Sequence, residues 1–215
     1  FEQIDDFLVA NPDWPLRKLL QIRAEEVLPR NKNHLDIIDW FKDRIPLTPN
    51  GAASLANSYI WSGDISSATD LIQRTWVHSN FGAKQETQFY RRFRSLMTRK
   101  NHIDRLDRLL WEAKYFPVRR MYRRMNADYR TLAEARLSLR RMTGGVDRAI
   151  KRVPQYLKNN TGLIYERLRW RRKKGKNKFA QELLKAPPKA LVRPLRWWRE
   201  REVLARRALN EGQIS

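Results

Sequence analysis

Apolar residues recur at helical spacing along this chain, and that periodicity constrains its fold more than any other feature. Between Pro15 and Leu28 they fall at Leu16, Leu19, Leu20, Ala24, Val27 and Leu28, one stripe of an amphipathic helix. Asp13 is placed to cap that helix, Pro15 suits its first turn, and Pro29 and Asn31 close it. Similar stripes follow at Ile65, Ala68, Ile72 and Trp76, with Asp64 as N-cap, and at Ile103, Leu106, Leu110 and Ala113, with Asn101 as N-cap. No segment sustains the period-two alternation of a half-buried strand, so the expected class is all-α.

The helices are expected to come in pairs, each hinged at a short polar or glycine turn. The expected hinges are Ser62-Gly63-Asp64, Arg99-Lys100-Asn101, Thr143-Gly144-Gly145, Lys174-Gly175-Lys176 and Glu211-Gly212-Gln213. Their spacing is irregular but of the order of helix-turn-helix repeats, which stack because one pair cannot bury both of its faces. In the first pair, large residues before the turn (Leu55, Tyr59, Ile60) oppose Ala68, Leu71 and Ile72 after it, which lets the helices approach closely. Pro46, Pro49, Pro117, Pro154, Pro187, Pro188 and Pro194 fit the connectors. The expected architecture is a right-handed α-superhelix of degenerate repeats, forming one elongated domain over residues 1–215.

Charge divides that domain. Residues 1–80 carry 8 basic and 11 acidic side chains, and residues 81–215 carry 37 and 12. The second stretch should attract an anionic partner: nucleic acid, acidic lipid, or a polymer bearing carboxylates. Arginine outnumbers lysine 31 to 14, and its planar fork suits carboxylate as well as phosphate. The absence of cysteine excludes disulfides, thiolate metal sites and a cysteine nucleophile. No apolar run reaches membrane-spanning length, and the sequence opens at Phe1, within a helical pattern and without a start Met or signal pattern, as a fragment or mature chain would.

Catalytic signatures are not found. His34, His78 and His102 lie far apart without carboxylates at metal-ligand spacing, so no metal is expected. Asp5-Asp6 and Glu25-Glu26 are adjacent on helices, where neighbours point about 100° apart, and read as surface charge. Gly144-Gly145 reads as a helix C-cap followed by a new N-terminus, not a phosphate cradle, so no nucleotide cofactor is expected.

What stands out is basic. Arg91, Arg92, Arg94, Arg119, Arg120, Arg123, Arg124, Arg140 and Arg141 recur in clusters on successive helices, either as a stripe along one surface or as scattered solvated residues with packed stems. The densest run, from Arg169 to Lys178, spans a helix end and its turn. It could be an import signal or a nucleic-acid patch with Trp170 free to stack, or simply cations favoured at a helix C-terminus. In Arg196-Trp197-Trp198-Arg199 the two indoles point to different sides, one into a core and one outward. The candidate contacts for an anionic ligand are therefore Arg119, Arg120, Arg123, Arg124, Arg169, Trp170, Arg172, Lys173, Lys174, Arg196, Trp197 and Arg199.

Two segments carry a family resemblance. One runs Phe7-Leu8-Val9-Ala10-Asn11-Pro12-Asp13-Trp14-Pro15-Leu16, with Arg23-Ala24-Glu25 after it. The other runs Arg196-Trp197-Trp198-Arg199-Glu200-Arg201-Glu202-Val203-Leu204-Ala205-Arg206-Arg207-Ala208-Leu209. With the paired helices and Gly63-Asp64-type turns between them, the whole chain resembles the N-terminal superhelical region of soluble lytic murein transglycosylases. The resemblance implies a periplasmic enzyme that cleaves the β-1,4 bond between N-acetylmuramic acid and N-acetylglucosamine and leaves a 1,6-anhydro end. It places the chemistry in a separate C-terminal, goose-lysozyme-like domain, where a glutamate followed by serine acts as acid and base. No glutamate here precedes a serine, so the expectation is a non-catalytic platform without its catalytic domain, needing no cofactor. Its partners would be peptidoglycan strands, the catalytic domain and other periplasmic proteins. A basic helical-repeat nucleic-acid-binding protein and a tetratricopeptide-like scaffold are the alternatives.

Overall fold

The computed structural model describes residues 1–29, 31–188 and 190–212. Among the described residues all regular structure is helical, with thirteen α-helices and three short 3-10 turns and no strand, as the periodicity predicts. The chain divides into two compact units, Phe1–Arg105 and Leu106–Ser215. The compositional step near residue 80 lies inside the first of them. Counted by unit, the first carries 15 basic and 13 acidic residues and the second 30 and 10, so the excess charge belongs almost wholly to the second.

The first unit comprises α1 (Glu2–Ala10), α2 (Arg17–Glu26), α3 (His34–Trp40), α4 (Pro49–Trp61), α5 (Ile65–His78), α6 (Ala83–Phe93) and the beginning of α7 (Arg99–Trp111). Helix α2 starts two residues later than its stripe suggests, with Leu16 at the N-cap and no capping side chain, because Pro12–Leu16 is taken up by turns. Asp13 is therefore not its cap. Helices α4 and α5 pack closely, with Leu55, Ala56, Ala68, Leu71 and Ile72 buried, whereas Ile60 is exposed. Trp76, fully buried, centres an aromatic group of Phe81, Phe89 and Tyr90, and its indole N–H donates to His102 Nδ1 at 3.0 Å. Burial of an indole that size contributes about 3–5 kcal/mol.

The second unit comprises the end of α7, α8 (Tyr115–Met121), α9 (Ala127–Arg141), α10 (Val146–Lys151), α11 (Thr161–Lys173), α12 (Asn177–Lys185) and α13 (Pro194–Asn210). One core joins α9, α10 and α11 through Leu132, Leu139, Val146, Val153 and Leu163. Another joins the end of α7 to α11, α12 and α13 through Trp111, Tyr165, Leu168, Trp197 and Leu204.

The turns share one geometry. At Gly63 the N–H bonds Ile60 O (3.2 Å) while Asp64 N–H reaches Tyr59 O (2.9 Å), the paired bonds of a Schellman cap with the glycine at φ 83°. The pair recurs at Gly175, with Lys176 N–H on Arg171 O, and at Met142, where Thr143 N–H reaches Ser138 O. It recurs again at Ala113 (φ 61°), where Lys114 N–H reaches Leu109 O (3.0 Å). That turn has no glycine, which is why the sequence did not reveal it. The expected hinge at Arg99-Lys100-Asn101 is instead the first turn of α7. There Asn101 N–H donates to Thr98 Oγ1 and Thr98 N–H to Asn101 Oδ1, a capping box with Thr98, not Asn101, at the N-cap. Met142, not the glycine pair, closes α9, and Gly145 opens α10. Pro117 sits inside the first turn of α8, and Pro49 and Pro194 occupy the first positions of α4 and α13, where no N–H is lost from the ladder. Gly212 has φ 70°, while Gln213 of the last expected hinge lies outside the described residues.

Candidate functional site

Helix C-termini leave carbonyls without intrahelical partners, and in this chain arginine guanidinium groups supply the donors. Arg17 donates to Leu8 O and Asn11 O at the end of α1, Arg44 to Trp40 O at the end of α3, and Arg105 to Trp76 O and Ser79 O at the end of α5. Arg196 then donates to Trp111 O at the end of α7, Arg169 to Arg140 O at the end of α9, and Arg207 to Arg172 O at the end of α11. Every odd-numbered helix from α1 to α11 is finished in this way. In Arg17 and Arg105 a single terminal nitrogen, Nη1, reaches two carbonyls at once. In Arg105 the other terminal nitrogen pairs with a carboxylate as well, which a lysine with its one nitrogen could not do.

Buried carboxylates also engage inward guanidiniums, that of Arg105 among them. Glu86 and Arg105, both about 1% exposed, pair at 3.2 Å, with Arg105 lying over the Trp76 ring at 4.4 Å. Glu166 accepts from Arg140 Nε (2.8 Å), and Glu200 accepts two bonds from Arg172. Those bonds hold the Arg172 guanidinium charged more firmly than usual, while burial pushes Arg136 the other way. Glu25, read from sequence as surface charge, is buried, and takes the N–H groups of Leu47 and Thr48, the Thr48 hydroxyl and Gln21 Nε2.

The expected ligand contacts therefore separate into two groups. Arg169, Arg172 and Arg196 are committed to carbonyls and carboxylates. Trp197 is the core indole: it is 3% exposed, packs edge-on against Tyr165, and donates to Val192 O. Trp198 is the exposed one, beside a shallow apolar cleft of about 280 Å³ lined by Leu184, Leu191, Leu195 and Arg201. Trp170 packs on the α9–α11 core, and Lys176 Nζ sits over its ring at 5.3 Å, so that face is not open for stacking. Arg124 donates to Arg120 O, and both are half-buried.

The other group points outward. Arg119, Arg123, Lys173, Lys174 and Arg199 are exposed and make no ion pair among the described residues. Arg119 lies over the Tyr122 ring at 5.1 Å and Arg141 over Tyr115 at 4.6 Å. Burial, with Glu134 nearby, pushes the Tyr122 phenol above its ordinary value, so the ring stays neutral beneath the cation. Lys173 and Lys174 close α11, where its dipole favours cations. The structure thus leaves part of the basic sequence signal facing outward and spends the rest inside the fold. Sequence reasoning missed Arg105, Arg136, Glu86, Glu166 and Glu200 as buried charges. The one signal available was acids embedded in arginine-rich helices, as at Glu166 and Glu200.

Among the described residues no cluster of histidine and carboxylate side chains could hold a metal ion, and no helix is long and apolar enough to cross a membrane. No protein family, curated protein or solved structure matches the chain.

Proposed function

We propose that this chain is a non-catalytic helical platform that holds anionic strands, and specifically the superhelical region of a periplasmic lytic transglycosylase that presents peptidoglycan to a separate catalytic domain. One observation carries the binding role: Arg119, Arg123, Lys173, Lys174 and Arg199 are exposed and, among the described residues, without carboxylate partners, in a unit that carries 30 basic and 10 acidic residues. The segments around Asn11-Pro12-Asp13-Trp14-Pro15 and Arg196-Trp197-Trp198-Arg199 support the peptidoglycan assignment through the family resemblance. On this reading the helix pairs are the degenerate repeats of a right-handed superhelix, supported by four Schellman turns of one geometry and by arginine caps at the ends of successive helices. Stem-peptide carboxylates supply the negative charge that the outward arginines and lysines meet.

Co-sedimentation with purified sacculi tests this. Binding should fall steeply between low and high salt and fall again when Arg119, Arg123, Lys173 and Lys174 are changed to Ser, substitutions at exposed positions that leave the core intact. Sacculus binding indifferent to both changes would overturn the reading. Tight, salt-steep retention of RNA or DNA with none of sacculi would transfer the same surface to nucleic acid.

A further inference from the structure

The first unit holds a cleft of about 540 Å³ bounded by α2, α3, α4 and α6, which the basic-surface reading does not use. Two of its walls, on α4 and α6, carry side-chain amides, and the others hold Glu25, Glu26, Leu28, His34 and Ile37. On α4, Asn50, Ala53, Ser54 and Asn57 follow i, i+3, i+4, i+7 spacing and so share one face, and on α6 Gln85, Gln88 and Arg92 do the same. Gln85 Nε2 donates to Asn50 Oδ1 at 2.9 Å, which fixes one end of the two stripes against each other and leaves the Asn50 amide N–H₂ and Gln85 Oε1 available. Asn57 and Gln88 make no side-chain hydrogen bond among the described residues.

Each amide both donates and accepts, so the walls match a ligand that alternates the two, which is what an extended peptide backbone does. Asn50 and Asn57 are seven residues apart, about 10 Å along the helix, close to the length of three extended residues. Ala53 and Ser54 between them leave room for the ligand's side chains. Among the described residues the cleft's one cation, Arg92, lies on α6, while its two carboxylates, Glu25 and Glu26, lie on α2. Glu25 is saturated by the hydrogen bonds described above, and Glu26 pairs with Arg23 at 2.8 Å, whereas Arg92 is exposed and makes no ion pair among the described residues. The aromatic rings at the floor, Phe89 and Phe93, are 5% and 1% exposed and offer no platform for stacking on a sugar.

We infer that this cleft binds an extended peptide, its backbone held by Asn57, Gln88, Asn50 and Gln85 and a terminal carboxylate held by Arg92. The assignment is independent of the glycan-strand reading, which concerns the other unit.

The test is titration of the full chain with N-acetyl-pentaalanine as free acid, following the side-chain N–H₂ resonances of asparagine and glutamine by NMR. The resonances of Asn50, Asn57, Gln85 and Gln88 should move. The C-terminally amidated peptide should bind about fivefold more weakly, as should the acid to Arg92→Ala, the effect expected of one exposed ion pair. Asn57→Leu, at a half-buried position whose side chain bonds nothing, should lose binding without altering the rest of the spectrum. No movement with either peptide overturns the inference, as does equal binding of acid and amide. Movement of the same resonances by an N-acetylglucosamine tetramer alone would overturn it in favour of a sugar site.

Discussion

Two glycines, one in each unit, mark the same packing device executed with opposite charge. Gly51 in the first turn of α4 sits against the Glu25 carboxylate, and Gly162 in the first turn of α11 sits against the Arg136 guanidinium. At either position a Cβ would overlap the buried charged group. The partners lie 26 residues apart in both cases. The consequences differ because a helix N-terminus is positive. Glu25 is the charge that end favours, and it also satisfies the N–H groups of Leu47 and Thr48 leading into α4. Arg136 is the charge it disfavours. It persists because Asp107 accepts at 2.5 Å and the Asn160 side chain, which caps α11, lies at 3.5 Å, yet its Nε and second terminal nitrogen find no acceptor. One buried charge completes a helix, and the other has to be neutralised beside one.

The sharpest way to break that comparison is to remove both charges in favour of methionine. Glu25→Met should cost about 3–5 kcal/mol in urea unfolding, since two backbone donors lose their acceptor. Arg136→Met should stay within about 1 kcal/mol of wild type, because the stranded Asp107 is 35% exposed and can be hydrated. Equal losses would show that the two sites are not different in kind.

Gly162→Ala should cost about 1–3 kcal/mol by displacing the guanidinium, and the loss should largely vanish in an Arg136→Ala background, where the methyl group has room. Persistence of the full penalty in the double variant would put its origin elsewhere in α11.

A smaller effect separates the turns of the two units. Gly63 in the first occupies a left-handed conformation at little cost, whereas Ala113 in the second carries a Cβ there. Ala113→Gly should stabilise by about 0.5 kcal/mol and Gly63→Ala should destabilise by a similar amount or more. Thermal midpoints moving together in one direction would contradict this.

The smallest concerns pH. Hydrogen bonds from the Ser67 backbone N–H and hydroxyl hold Asp64 below its ordinary 3.8, so its capping of α5 is fully present above about pH 4. It is lost as pH falls through the lower folded-state value. Hydrogen exchange at the Ser67 amide should accelerate, relative to Asp64→Asn, only below that range.

Much of the fold was legible because its signals are local. Asp64 followed by a stripe, Gly63 and Gly175 at helix ends, and prolines at first turns each act within one turn of helix. The turn at Ala113 escaped because its residue type carries no left-handed preference. Asp13 and Asn101 were misread as caps for a similar reason, since several polar residues near a boundary compete and only the backbone path chooses among them.

The candidate site was legible in charge but not in direction. Arg169, Lys173, Arg196 and Arg199 look alike in the sequence, and two of them finish helices while two face solvent. By itself the sequence determined an all-helical chain, punctuated at several identifiable turns, with its excess of cations in the second part. Tertiary structure alone decided which guanidiniums meet carbonyls 26 to 85 residues away, which of Trp197 and Trp198 is core, and that Glu25 is inside. Helix propensity, capping and the macrodipole act over one turn of chain, whereas a buried charge's surroundings are assembled from segments that meet only when the helices pack.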